Sequence, residues 1–264
     1  MIEALRLPSA GPAPIPGETA LAAVRGYARG KRPLFFRAPN ARAGRWVEIP
    51  AFGYERFDRR PDPDTPLGEP DILISEGLHG RLDKASWTVM KSLLHDIRPL
   101  ADAAVARAAG RPYRELPDDQ FSVLAEPGTV GAALRDIWQL ASETPGGSPK
   151  HVLAALHHRR PSLFPLLNRT TRWQLLPHVR EEDSGVEAVI HREILANLPA
   201  FEALEAQVSA LLGDGVPLTV LRLHDVLLWL SAGLRMTHAV QLGRATREWA
   251  ESQDAAVHPG SRPV

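Results

Sequence analysis

The chain contains no cysteine, which excludes disulfide bonds, thiolate zinc sites and iron–sulfur clusters. It lacks any net charge, with 31 basic and 31 acidic side chains, so strong global attraction to a polyanion is not expected. No apolar run approaches the roughly 18 residues that a membrane-spanning helix needs. The opening MIEALRLPSAGPAP has no signal-peptide core, so a cytoplasmic protein without membrane contact is expected. Histidines form no HxxxH or HExxH pair, and PDPDTPLGEPD lacks the regular ligand spacing of a calcium loop. No metal or cofactor is therefore expected, and nothing signals an oligomeric state.

What remains is ordinary globular material. Hydrophobic residues make up 44% and charged residues 23% of 264 residues, enough for a substantial core. PSAGPAPIPG (8–17) reads as a flexible lead-in, and Glu18 to Tyr27 as a short helix. PLFFRA and RWVEIP flank PNARAG and predict a small β-hairpin, followed by an irregular Pro/Asp-rich crossing. From Asp71 onward, apolar residues recur three and four apart, which predicts helices. Thr129 is placed to cap one of them. Further helices are predicted near 148–158, 168–176, 186–197, 200–212, 217–232 and 237–252, separated by prolines. The expected architecture is mainly α, a compact orthogonal helical bundle with a small N-terminal β-hairpin. The division is 1–70 for the N-terminal part, 71–253 for the helical domain and 254–264 for a disordered tail.

One segment carries most of the chemistry. From Thr144 through Arg180 there is no Asp or Glu, while Lys150, Arg159, Arg160, Arg169, Arg172 and Arg180 are present. Such a local basic patch fits a confined anion contact. Gly146 and Gly147 permit a tight turn, Ser148 suits a helix N-cap, and Pro149 suits the first helical position. Lys150 then stands in the first turn, where it faces a phosphate or serves as an amine nucleophile. The plainer reading is a glycine loop opening a core helix with a solvated lysine. Arg169 and Arg172 share a helix face. Trp173 either stacks on a base or, with Leu175 and Leu176 at helical spacing, joins the core, and the core is favoured. His157 is read as a packing residue near a helix C-terminus.

TPGGSPKHVLAAL, FPLLNRTTRW and LHDVLLWLSAG together resemble the hairpin, the carboxylate-bearing segment and the later helix of the helix-hairpin-helix DNA glycosylase superfamily. The resemblance spans about residues 125–235. It implies a lysine at Lys150 and a catalytic carboxylate eighteen residues on, where this chain has Asn168. It also implies phosphate contacts from Gly146, Gly147 and Ser148. A neutral amide does not offset oxocarbenium charge as a carboxylate does, so Asn168 points to impaired or altered catalysis. Asp225 is the candidate replacement, or else the polar anchor of a buried helix. LHHRRPSLFP in the middle also resembles an actinobacterial helical family that carries no assigned activity. Three classes follow: a nucleic-acid-associated protein with a degenerate glycosylase-like core, a small-molecule-binding protein of specialised metabolism on the same scaffold, or a partner-binding helical module. DNA is the first expected partner and a small-molecule ligand the alternative.

Overall fold

Prolines and short polar side chains cut this chain into helices largely where the sequence places them. A computed structural model describes residues 2–36, 45–52, 57–58, 67–213 and 218–246. The hairpin tip, most of the Pro/Asp-rich crossing and the C-terminal tail lie outside those residues. The first helix, α1 (Gly17–Arg29), leads into strands β1 (Lys31–Phe36) and β2 (Arg45–Pro50), an antiparallel pair whose backbone register sets Leu34 opposite Val47. Then come α2 (Glu69–His79), α3 (Lys84–Ala108), α4 (Val130–Glu143), α5 (Pro149–Arg159) and α6 (Arg169–Leu175). The bundle is completed by α7 (Val186–Ala196), α8 (Leu198–Leu212), α9 (Val220–Ser231) and α10 (Arg235–Arg244).

Several helix starts have a visible cause. The Thr129 hydroxyl accepts the Ala132 N–H at 3.1 Å, and Thr219 does the same for Arg222 at 3.2 Å. Each satisfies a backbone donor that the first turn leaves without an intrahelical acceptor. Pro149 and Pro199 stand in first turns, where a missing N–H costs nothing. Helix α3 runs through Pro99 to Ala108, well past the periodic stretch that ends near Ile97. Its buried Ile97, Ala101 and Ala104 hold it on course despite one lost ladder bond.

The core is centred on α9. Leu223, Val226, Leu227, Leu228 and Leu230 are all buried, and α1, α6, α7, α8 and α10 pack around them. Against α1, α10 crosses with almost no side chain between the backbones. A Cβ on Gly26 would fall onto the Ala239 carbonyl, and one on Gly243 onto the Ala22 carbonyl. A second contact layer joins α3 to α4, and α2 to α5. Among the described residues, no helix is long and apolar enough to cross a membrane.

The lead-in PSAGPAPIPG is not the flexible arm its composition suggests. Leu5 and Ile15 pair through reciprocal backbone bonds of 2.9 and 2.8 Å, and Pro8–Ala10 form a 3-10 turn. Ser9 is buried; its N–H and hydroxyl donate to the two Glu193 carboxylate oxygens at 2.8 and 2.6 Å. The same carboxylate meets His224 Nε2 at 2.8 Å. A buried charge-assisted anchor outweighs the proline-glycine composition here.

Candidate functional site

Helix α9 turns one polar face inward within a run of leucines. Arg222, Asp225, Val226 and Trp229 recur three or four apart, so they line one side. The Arg222 guanidinium is buried with each nitrogen engaged. Nε donates to Asp58 at 2.8 Å, Nη1 to Asp225 Oδ2, and Nη2 to the Tyr27 hydroxyl. Tyr27, from the last turn of α1, donates in turn to Asp58 at 3.0 Å. The guanidinium also lies 5.3 Å from the Tyr27 ring centre and 5.2 Å from that of Phe57.

Beside this network is a cavity of about 100 Å³, lined by Tyr27, Arg222, Asp225 and Trp229 together with His79, Asn168 and apolar side chains. Asp225 is 6% exposed, and its Oδ1 has no hydrogen-bond partner among the described residues. Burial pushes its carboxyl up to about 6, against the opposing pull of Arg222 and then His224, with Asp58 adding to the rise. His79 ends α2, and its Nε2 is likewise buried without a partner among those residues. Its pKa falls to about 3, through burial first and then the neighbouring His151, Lys150 and Arg222. The ring is therefore neutral at physiological pH.

Asn168 enters the cavity wall through its role as a cap. Its Oδ1 accepts the N–H groups of Thr170 and Thr171 at 2.8 and 3.2 Å, and Thr171 Oγ1 accepts the Asn168 N–H at 3.1 Å. This reciprocal box starts α6 and commits the amide oxygen to the backbone. Asn168 and Asp225, both singled out in the sequence, thus share one cavity. Lys150 is not among its lining residues. The exposed lysine ammonium donates to the backbone carbonyl of His79 at 3.3 Å, which places it next to a residue that does line the cavity.

The hairpin segment differs from a simple phosphate seat. Gly146 has φ +78°, the left-handed conformation that glycine favours, and the Gly147 N–H donates to Thr144 O at 2.8 Å. A Cβ on Gly147 would also crowd the carbonyls of Ala141 and Thr144. Ser148 holds the N-cap position, but its side chain makes no capping bond. Instead Ser148 Oγ meets His151 Nδ1 at 2.7 Å, while His151 Nε2 meets Gly80 O at 3.0 Å. A carbonyl only accepts, so Nε2 carries the proton and, in the neutral ring, Nδ1 accepts from the serine.

The basic stretch is partly spent internally. Arg159 grips buried Asp71 with bonds of 2.6 and 3.0 Å, and Arg172 lies 4.5 Å over the Trp138 ring. Lys150, Arg160, Arg169 and Arg180 are exposed. Trp173 is 63% exposed rather than in the core. The short α6 turns Thr171 and Leu175 inward, two positions either side of the tryptophan, so Trp173 points out. His157 packs as expected, buried in α5 with Nδ1 donating to Phe164 O at 2.6 Å. Tyr27, His79, Arg222 and Trp229 were not read from the sequence as site residues. The one local signal is Arg222, His224 and Asp225 set within the leucine run LRLHDVLLWL.

No family model, curated protein or solved structure matches the chain.

Proposed function

We propose that the cavity beside α9 binds a small polar organic molecule. The supporting observation is that Asp225 Oδ1 and His79 Nε2, both buried and both lacking a hydrogen-bond partner among the described residues, belong to residues lining one cavity. Native proteins pair almost all such atoms, and a small cavity with a few convergent polar groups is how ligand sites are built. At about 100 Å³ the space holds several waters or one small ligand. Asn168 Nδ2 and the Trp229 ring add a donor and an aromatic wall. With its carboxyl near 6, Asp225 is suited to exchange a proton with an occupant. A thermal-shift and native-mass screen of amines, nucleobases, amino acids and short sugars tests the reading. Ligand stabilisation in the native chain, reduced by Trp229→Ala, supports it; no response to any compound sinks it.

The nucleic-acid reading rests on a separate observation. Lys150 and Arg169 are exposed in a stretch without acidic residues, and Arg169 adjoins the cavity residue Asn168. On this reading the glycosylase-like core holds DNA weakly, without sequence preference and with steep salt dependence. Lys150→Glu then weakens binding markedly, and equal affinity before and after that change removes it.

A further inference from the structure

We propose that the cavity selects a small monocation rich in N–H donors, an alkylammonium, amidinium or guanidinium, docked against Asp225. This rests on the reading of the cavity as a ligand site. Its basis is a charge count. Among the described residues, the buried cluster holds one cation, Arg222, and two carboxylates, Asp58 and Asp225, so one negative charge is in excess there. Tyr27 does not offset it, because burial raises its phenol pKa and keeps it neutral. Half-buried His79 and buried His157 are both neutral imidazoles at physiological pH, and His224 faces Glu193 instead. Of the cations beside the cavity walls, Lys150 is exposed to solvent and donates to the backbone carbonyl of His79, and half-buried Arg235 is committed to the ring and carbonyl of Trp229.

The donor and acceptor pattern agrees with the charge. Each guanidinium nitrogen of Arg222 already donates once, to Asp58, Asp225 or Tyr27, and the two carboxylates among these partners already offset its charge, which disfavours an anion. Among the described residues that line the cavity, the unsatisfied buried atoms are Asp225 Oδ1, an acceptor, and His79 Nε2, which accepts when Nδ1 carries the proton. Both can receive N–H groups from one small cation. The Trp229 ring, already stacked at 4.6 Å by the Arg235 guanidinium, forms a wall of the kind that favours cations.

The test compares isosteres on the full chain by calorimetry at pH 8 and pH 5. The probes are methylguanidinium against N-methylurea, which has the same shape without charge, and propylammonium against propionate. Expected is at least tenfold tighter binding of each cation than its counterpart at pH 8, lost in Asp225→Asn. In the native chain, affinity drops about tenfold at pH 5, as the Asp225 carboxyl takes up a proton. That drop needs no variant, so a poorly folding Asp225→Asn does not disarm the test. Equal binding of N-methylurea, or cation binding unchanged in Asp225→Asn, overturns the cation assignment while leaving a ligand site. Binding of none of the probes or of the wider screen overturns both.

Discussion

Replacing Asp225 by asparagine should alter the pH dependence of stability more than stability itself. In the folded protein the carboxyl sits at about 6, and in the unfolded chain near its ordinary 3.8. Between those values the native state holds a proton that the unfolded state has lost. Stability from this group is therefore fully present below about 3.8 and is lost as pH rises through about 6. Two pH units at about 1.4 kcal/mol each give a cost of about 3 kcal/mol at pH 7.5 relative to pH 4. Asparagine is close to isosteric with the protonated acid and does not titrate. Urea unfolding of both proteins at several pH values isolates the difference, because every other titrating group is common to them. The gap between the variant and the native chain should shift by about 3 kcal/mol in the variant's favour from pH 4 to pH 7.5. Parallel stability profiles would refute the buried, under-neutralised carboxylate.

Buried His157, whose pKa falls to about 3 through burial and then Arg222, contributes stability present above 6.5 and lost as pH falls toward 3. His157→Gln should flatten the acid limb of a circular-dichroism titration below pH 6.5. Gly243→Ala sets a methyl group against the Ala22 carbonyl and should lower stability by about 1–3 kcal/mol, read as a reduced urea midpoint. Asn168→Ala should cost about 1 kcal/mol by removing the α6 cap, whereas Asn168→Asp keeps the cap and costs little, both measured by urea unfolding.

The helical layout was readable because its signals are local. Thr129 caps α4, Pro149 opens α5 and the β1–β2 pair brackets its loop, each set by a few adjacent residues. Trp173 went astray for a related reason. Its spacing to Leu176 suggests a shared apolar face, but Leu176 is itself 40% exposed and the inward face belongs to Leu175. The N-terminal segment was misread because its anchor, Glu193, lies far along the chain. The candidate site divides the same way. Asp225 and Asn168 stand in motif-like stretches, while Tyr27 and His79 come from α1 and α2 and meet α9 only after folding. No spacing rule joins residues on three separate helices.

The glycine crossing of α1 and α10 also bears on the order in which the protein is made. Helix α1 leaves the ribosome first, with its close-packing face of Ala22 and Gly26 built for a partner near the other end of the described chain. At ordinary translation rates that partner emerges on the order of ten to forty seconds later. Tyr27 rides on the same helix, so the contact between α1 and α10 lies on the helix that also supplies a partner of Arg222. Chains halted before Arg235 would carry every lining residue of the cavity named above and still lack the helix that packs most closely on α1.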